Sequence, residues 1–394
     1  MKKLKDNLYY IGALNPNLRV FDIIMKTEFG TSYNAYLIKG EKTALVETCH
    51  HRFWDIYRES IEEITALAGI DYIIFNHTEP DHSGVLEKLL DINPNIEIIG
   101  TTAAIKNLTN IANRPFTSRA VKDGDTLDLG NGIELRFITA PNLHWPDTMF
   151  TYWAAAKTVF TCDFLGAHYC EPAITDDYIS YPAAYASSFK NYYDAIMSPF
   201  KKFVLNGLDK LEKLDFDMVC TSHGPVLKHE FRKNMDLYRA WSQTGTIPGT
   251  VSVFYVSAYG FTRKLAEAFT AGLAEAGVKA ECFDVIEHPL SLIAEKIEAS
   301  AGYAFGSPTI NRDAVRPIWD VLSMIDPISN KGKPAFIFGS YGWSGEGCAN
   351  LAARVQGIGL KLFADPVRVV FNPTDDDLSA MKAQGKAFGE SLSK

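Results

Sequence analysis

Paired cysteines are missing from this sequence. Six cysteines are scattered through 394 residues, and no two of them form a Cys-x-x-Cys pair. This spacing excludes an iron or zinc module held by four cysteines. Because the N-terminus has no secretory signal pattern, disulfides are not expected, and we predict six buried free thiols. These are Cys49, Cys162, Cys170, Cys220, Cys282 and Cys348.

Positive charge and long apolar runs are also scarce. The 39 Lys and Arg residues are outnumbered by 47 Asp and Glu residues, which gives a net charge of −8. An excess of negative charge disfavours a nucleic-acid partner, whose phosphates would have to be neutralised. No uninterrupted apolar segment reaches the length needed to span a bilayer. We therefore expect a cytoplasmic protein with neither a nucleic-acid nor a membrane partner.

The length and the strand pattern predict two domains. A chain of 394 residues exceeds a typical single domain, and a polar stretch with Gly and Pro covers residues 241–249. We place domains at 1–248 and 249–394. The first begins β-rich, and the second alternates strands at 251–256, 279–284, 302–305, 334–339 and 368–371 with helices. Such alternation predicts a doubly wound, parallel, five-stranded sheet of the α/β class.

Four potential metal ligands occur within the stretch His77-Thr78-Glu79-Pro80-Asp81-His82, which follows the mostly apolar run 70–75. The run predicts a buried strand, and Pro80 cannot continue it. While the backbone stays extended, alternate residues share a face, so His77, Glu79 and Asp81 are expected to point the same way. His82 then opens the next turn, and a helix is expected over 83–91. The stretch predicts ligands at a strand end, where α/β proteins place their chemistry.

Three later strand ends repeat this arrangement. His144 lies in the loop 140–146, Asp163 follows a strand at 158–161, and His223 follows a strand at 218–220. Together with the first stretch they offer three carboxylates and four imidazoles, a set that suits two metal ions with one carboxylate bridging. Ligand type alone leaves zinc and iron open. His168 is either a partner of a ligand or an ordinary packed histidine.

Three loops follow strands of the second domain, at the edge where doubly wound sheets bind ligands. The first opens a helix whose N-terminal N–H groups suit a phosphate, although a simple helix cap is the alternative interpretation. Glycines in the third allow close approach of a ligand, and Trp343 can lie against a ring. No Gly-x-Gly-x-x-Gly follows a strand, which disfavours a nicotinamide site. The loop residues are Ser257, Ala258, Tyr259, Gly260, Phe261, Thr262, Ser307, Pro308, Thr309, Ile310, Asn311, Ser340, Tyr341, Gly342, Trp343, Ser344 and Gly345.

The stretch 77–82 resembles the metallo-β-lactamase motif His-x-His-x-Asp-His, with Glu79 in the position of the second histidine. Flavodiiron proteins carry this glutamate, and the three later loops resemble those of flavodoxin. The whole chain is thus similar to the flavodiiron (A-type flavoprotein) family. The resemblance implies an N-terminal metallo-β-lactamase-like αββα sandwich and a C-terminal flavodoxin-like doubly wound sheet that binds FMN.

The resemblance also implies two iron ions and a set of ligands. One iron takes His77, Glu79 and His144, the other takes Asp81 and His223, and Asp163 bridges them. Ligation by His82 varies within the family, so we leave it open. Tyr193 matches a family tyrosine near the metals, although its own context favours a core position. The implied reaction reduces dioxygen to water, nitric oxide to nitrous oxide, or both, with rubredoxin or a reduced deazaflavin coenzyme as electron donor.

Assembly is expected to matter for electron transfer. Compact domains of these sizes have radii of gyration of roughly 18 and 15 Å, so the two centres of one chain are about 35–40 Å apart. The family's head-to-tail homodimer, or a dimer of such dimers, brings one subunit's flavin to its partner's irons. Two other hypotheses remain: a dizinc hydrolase with an appended flavodoxin domain, and an electron carrier that uses only its FMN domain.

Overall fold

The computed structural model describes residues 1–392 and divides into two compact units, Met1–Gln243 and a second that begins at Thr244. The predicted polar break at 241–249 begins inside a helix, because the last helix of the first unit runs to Gln243. Within residues 1–392, no helix is both long and apolar enough to cross a bilayer. The six cysteines are free thiols; Cys170 and Cys282 are half-buried, contrary to our prediction, and the other four are buried.

Sixteen strands and seven α-helices, besides short 3-10 and π-helical turns, form the first unit. The strands are Lys2–Lys5 (β1), Leu8–Tyr10 (β2), Ala13–Asn15 (β3), Val20–Phe21 (β4), Met25–Lys26 (β5), Thr31–Tyr33 (β6), Tyr36–Lys39 (β7), Thr43–Val46 (β8), Tyr72–Ile74 (β9), Glu97–Thr101 (β10), Ser118–Val121 (β11), Thr126–Asp128 (β12), Glu134–Thr139 (β13), Met149–Trp153 (β14), Thr158–Cys162 (β15) and Met218–Thr221 (β16). The helices are Trp54–Glu62 (α1), Pro80–Ser83 (α2), Leu86–Ile92 (α3), Thr102–Ala112 (α4), Pro182–Tyr192 (α5), Lys201–Leu211 (α6) and Phe231–Gln243 (α7).

Two sheets pack face to face in this unit. One has the order β1-β2-β7-β8-β9-β10-β11 and the other the order β12-β13-β14-β15-β16. Because side chains alternate along a strand, Ile74 and Phe137 point into the shared core between the sheets, whereas Ile73 and Ile138 point outwards. The outward faces are covered by α1, α3 and α4 on the first sheet and by α5, α6 and α7 on the second. The predicted αββα sandwich is confirmed.

The segment that carries the first ligands differs from its prediction. The helix expected over 83–91 is two helices, α2 and α3, and α2 already begins at Pro80. Proline suits a first helical position because its missing N–H would lack a partner there. Asp81 and His82 therefore lie on a helical turn, and the extended backbone ends at Glu79.

The second unit alternates strands and helices. Its strands are Thr250–Tyr255 (β17), Lys279–Asp284 (β18), Gly302–Gly306 (β19), Thr309–Ile310 (β20), Asp313–Ala314 (β21), Pro334–Tyr341 (β22), Lys361–Leu362 (β23) and Val367–Val370 (β24). Its helices are Phe261–Glu275 (α8), Leu290–Ala299 (α9), Arg316–Ser323 (α10), Glu346–Gly357 (α11) and Asp375–Ser391 (α12).

The main sheet of the second unit is parallel, with the order β18-β17-β19-β22. Its fifth position is shared by β23, which pairs with the start of β22, and β24, which pairs with the end of β22. Phe336 and Ile337 of β22 enter separate cores on opposite faces, as expected when helices cover both sides. The predicted doubly wound flavodoxin-like sheet is confirmed, with its fifth strand split in two.

Candidate metal and flavin sites

The seven predicted ligands converge at one edge of the sandwich. His77 and Glu79 follow β9, Asp81 and His82 lie on α2, and the other three follow β13, β15 and β16. Each side chain leaves a strand or a short helix held by the sandwich core, which fixes its position. Fold topology thus collects residues that are separated by up to 146 positions in sequence (His77 to His223).

One group contains His77, Glu79, His144 and Asp163, whose ligand atoms all lie within 4.8 Å of one another. The Nε2 atom of His77 is 3.2 Å from Glu79 Oε2, and the Nε2 atom of His144 is 3.3 Å from the same oxygen. Asp163 Oδ2 lies 3.3 Å from His144 Nε2. Two imidazole nitrogens and two carboxylate oxygens therefore face a common centre that a cation can occupy.

The second group contains Asp81, His82 and His223, again within 4.8 Å. His223 Nε2 is 3.1 Å from Asp81 Oδ2, and His82 Nε2 is 3.4 Å from Asp81 Oδ1. The ring of His82 therefore turns its Nε2 atom toward this group. Its Nδ1 atom faces the Cys162 thiol at 3.9 Å.

Asp163 belongs to both groups. Its Oδ1 atom lies 3.2 Å from His82 Nε2 and 3.4 Å from His223 Nε2, whereas its Oδ2 atom faces the first group. One carboxylate thus presents a different oxygen to each set of imidazoles. This is the geometry that lets a single aspartate bridge two metal ions.

Residues behind the ligands hold two of the rings. His77 Nδ1 lies 3.3 Å from Asp147 Oδ2, and His223 Nδ1 donates to the Ser32 carbonyl at 2.7 Å. These contacts leave each Nε2 atom free to face a metal, as outer partners of metal-binding histidines commonly do. Sequence reasoning missed Asp147, although it lies three residues after His144 in the same loop.

The electrostatics of the cluster suit cations. Burial opposes charging of Asp163, but the neighbouring histidines hold its pKa well below the usual range. Burial also opposes charging of His77 and by itself would lower its pKa. Hydrogen bonds to Asp147 and Glu79 outweigh the effect of burial and raise the pKa of His77 to about 10. Within residues 1–392, both Asp81 oxygens, Asp163 Oδ1 and His82 Nε2 make no hydrogen bond of normal geometry, although each lies within 3.4 Å of a neighbouring polar atom of the cluster. Burying polar atoms without hydrogen bonds costs free energy, and two bound metal ions would satisfy these atoms. The donor set therefore fits two metal ions.

His168 lies directly behind this cluster. Its ring packs 5.1 Å from that of His223 and 4.2 Å from that of Phe21. Burial is the main reason why its pKa falls to about 3, so the ring is neutral. Its Nδ1 atom pairs with Thr31 Oγ1 at 2.9 Å.

Tyr193 is placed away from the ligands, contrary to what the resemblance implied. Its hydroxyl pairs with Ser242 Oγ at 2.8 Å, and its ring packs on Tyr238. The preceding residue, Tyr192, takes the position beside the cluster, with its ring 4.9 Å from that of His168. A helix turns by about 100° per residue, which is why adjacent tyrosines at the end of α5 face different surroundings.

A cavity of about 360 Å³ opens onto the predicted ligands Glu79 and Asp81. Asp22, Tyr33 and Arg52 line it with them. Burial and the carboxylates of Glu79 and Asp81 raise the pKa of Asp22 to about 6, so this acid lies close to the ligand oxygens. Sequence reasoning missed Asp22, because it precedes the ligand motif by more than fifty residues and no local pattern marks it.

Glu47 is a further buried acid near the cluster. It follows β8, and its Oε1 atom accepts a hydrogen bond from the Asn76 backbone at 2.8 Å. Burial raises its pKa to about 8. Glu47 lies with Cys162 behind His82. These two residues therefore pack against the side of that ring opposite the ligand group.

The three loops of the second unit lie at the carboxyl ends of β17, β19 and β22. Gly260, with φ of 81°, precedes α8 and allows the turn that presents the helix N-terminus. Thr262 and Ser340 from different loops share a hydrogen bond at 2.9 Å between their hydroxyls. The side chains of two aromatic residues, Tyr259 and Trp343, stand out at this edge, with 85% and 82% of the residue exposed.

The middle loop folds back on itself after β19. Thr309 and Ile310 pair with β21 in a small hairpin whose turn residues, Asn311 and Arg312, have positive φ. Ser307 Oγ accepts a hydrogen bond from the Val315 backbone. With an exposed aromatic on either side and a helix N-terminus nearby, this edge fits a flat ring that carries a phosphate.

Comparison with known proteins identifies both units. The family described as ODP family beta lactamase matches residues 31–224, and flavodoxin matches residues 253–385. The flavo-diiron protein FprA2 of Clostridium acetobutylicum is 46% identical over 396 aligned residues, and 99% of each chain is covered. The chain belongs to the flavodiiron protein family.

Other flavodiiron proteins agree over the full length. The type A flavoprotein fprA of Rhodobacter capsulatus is 37% identical, covering 98% of this chain and 89% of that protein. The solved rubredoxin oxygen:oxidoreductase of Desulfovibrio gigas superposes with a TM-score of 0.70 at 26% identity, covering 100% of this chain and 98% of that one. This flavodiiron protein is accordingly an oxidoreductase whose cofactors are FMN and a diiron site.

Proposed function

We propose that this flavodiiron protein reduces dioxygen to water, nitric oxide to nitrous oxide, or both. The observation that carries the proposal is Asp163, whose two oxygens face two separate groups of histidines and carboxylates. Such an arrangement suits a pair of redox metals that act together on one small molecule. When bound, FMN supplies electrons one at a time and the iron pair supplies the redox chemistry of the reduction.

The ligand roles follow from the two groups. His77, Glu79 and His144 would hold one iron, Asp81, His82 and His223 the other, and Asp163 would bridge them. The position of His82 Nε2, 3.2 Å from Asp163 Oδ1, supports its inclusion. The carboxylates stabilise higher charge on the metals, and the buried surroundings limit the entry of water.

The flavin would occupy the edge formed by the three loops. The helix N-terminus after Gly260 is suited to the FMN phosphate, and the hydroxyls of Ser257 and Thr262 add donors. Ser307 to Asn311 and Ser340 to Gly345 would flank the ring. The exposed faces of Tyr259 and Trp343 support this placement, because large exposed aromatics commonly mark a binding site.

Donor, assembly and location complete the proposal. The relative from Desulfovibrio gigas is named as a rubredoxin oxygen:oxidoreductase, which supports rubredoxin as a donor here; a reduced deazaflavin coenzyme is the second candidate. We propose a head-to-tail homodimer, or a dimer of such dimers, in the cytoplasm. The proposed functional limits of the domains are 1–248 and 249–394.

Anaerobic stopped-flow mixing tests the reaction. Reduced holoprotein is mixed with dioxygen and, separately, with nitric oxide, while flavin absorbance is followed. We expect rapid flavin reoxidation by at least one gas, with water or nitrous oxide as product. Flavin that remains reduced with both gases would overturn the proposal. Two zinc ions without flavin in natively purified protein would favour a hydrolase instead.

A further inference from the structure

Besides the predicted ligands and His50, the cavity over the cluster has one acid, Asp22, and one strong base, Arg52, on its wall. Asp22 lies at the turn between β4 and β5, and Arg52 lies in the short 3-10 helix His51–Phe53. Both line the same cavity of about 360 Å³, together with the ligands Glu79 and Asp81. Any molecule that reaches the metals through this opening passes both charges.

The charges of Asp22 and Arg52 both act on the phenol of Tyr33, which lines the same cavity. Burial is the main reason why the pKa of Tyr33 rises to about 12; Asp22 contributes to this rise, and Arg52 opposes it. Asp22 also faces the ligands themselves, since it lines the same cavity wall as Glu79 and Asp81. Asp22 and Arg52 therefore both act on the cluster from the wall of one cavity.

Formal charges give Asp22 a specific effect. Two divalent cations held by Glu79, Asp81 and Asp163 and by neutral imidazoles leave one positive charge on the cluster, and two trivalent cations leave three. The carboxylate of Asp22 offsets one of these charges in either state. Without Asp22, the opening would lead to a more strongly cationic centre, which attracts anions.

We propose that Asp22 sets the charge at the entrance so that neutral diatomic molecules are admitted and small anions are disfavoured, with Arg52 acting in the opposite direction. This inference rests on the proposed function and adds a specificity-determining residue to it. The property that matters in this inference is the negative charge of the Asp22 side chain at the opening.

The backbone at Asp22 allows a clean substitution. Its φ is 45°, and the next residue, Ile23, has φ of 68°. Asparagine tolerates this left-handed region and has almost the same shape as aspartate. Asp22→Asn thus removes the charge and leaves the turn between β4 and β5 in place.

Azide binding to the oxidised, iron-loaded holoprotein tests the inference without turnover. Azide is titrated at low ionic strength and at a pH well above the pKa of Asp22, and its binding is followed by azide-to-iron charge-transfer absorbance. We expect Asp22→Asn to tighten the azide Kd roughly sevenfold, which is the effect of one like charge for an assumed separation on the order of 7 Å and an effective dielectric of about 40. Asp22→Glu should resemble the wild type, and Arg52→Gln should weaken azide binding. Added salt should reduce each difference.

A matched control separates a local effect from a change in net charge. Glu28 lies in the same segment but lines a different cavity, beside His168 and Tyr192. Glu28→Gln makes the same charge change and should leave the azide Kd at the wild-type value. An unchanged Kd in Asp22→Asn, or an equal change in Glu28→Gln, would overturn the inference. Iron content is measured first: protein that holds no iron contradicts the proposed function, whereas iron-loaded protein with unaltered azide binding contradicts only the role of Asp22.

Discussion

The Nδ1 atom of His77 lies 3.3 Å from Oδ2 of Asp147, and Thr78 Oγ1 donates to the same oxygen at 2.7 Å. This carboxylate is fully buried and turns the other nitrogen of the ring toward Glu79. We expect Asp147→Ala to weaken iron binding at this group by about 10- to 100-fold, the usual cost of losing such a partner. Iron content after dialysis against graded chelator concentrations measures the change.

The control for Asp147 is an acid on the surface. Asp6, whose side chain is 95% exposed, pairs only with Lys3 among the contacts of residues 1–392. Asp6→Ala removes the same charge and should retain iron like the wild type. Equal iron retention in both variants would show that Asp147 does not support His77.

Acid should destabilise the protein through His168. Its folded pKa is about 3, against an ordinary value of 6.5, because burial disfavours the charged ring. The unfolded chain therefore binds a proton that the folded chain does not, and stability falls as the pH drops from 6.5 toward 3. The slope from this residue is at most about 1.4 kcal/mol per pH unit.

The variant His168→Gln should flatten this dependence. Gln keeps a polar group near Thr31 but does not titrate, so the difference in unfolding free energy between variant and wild type should shrink with decreasing pH. Denaturant unfolding at several pH values between 7 and 5 measures it. A difference that stays constant over this range would contradict the assignment of a neutral His168.

Trp343 should contribute directly to flavin binding. Its side chain is largely exposed at the edge of the loops, and offset stacking of aromatic rings contributes about 0.5–1.5 kcal/mol. Trp343→Ala should therefore weaken the FMN Kd by about 2- to 10-fold, measured by the recovery of flavin fluorescence on dilution. Ile328, which is also exposed in this unit, serves as the control. An equal loss in Ile328→Ala would argue against a contact between Trp343 and the flavin.

Head-to-tail assembly has a separate consequence. Monomers that retain both FMN and iron should lose turnover, because the two centres of one chain are expected to lie too far apart for fast electron transfer. Cofactor content, oligomeric state and reductase rate are measured together across a dilution series. Full activity in fully loaded monomers would contradict the head-to-tail proposal.

The sequence predicted the sheets and ligands because both follow local patterns. Apolar strands such as β9 and β15 end at His, Glu or Asp, and parallel strands deliver such ends to one edge. Site residues that lie in turns and loops away from these strand ends could not be found from the strand pattern. Asp22 and Asp147 reach the site through the turn between β4 and β5 and the loop after His144, and neither has a periodic signal.

Two other differences have similar causes. Tyr193 and Tyr192 are chemically equivalent in sequence, and only the rotation at the end of α5 decides which faces His168. The helix over 83–91 was predicted from apolar spacing, which does not report that Pro80 opens a separate turn. Where the sequence pattern leaves two residues or two helix starts equivalent, the tertiary structure decides between them.

Mössbauer spectroscopy of protein loaded with enriched iron is the sharpest test of the proposed diiron centre, because a bridge through Asp163 requires two neighbouring irons. We predict two irons per chain in a magnetically coupled pair, with the coupling lost in Asp163→Asn. Uncoupled irons in the wild-type protein, or two zinc ions in their place, would contradict a bridged diiron centre.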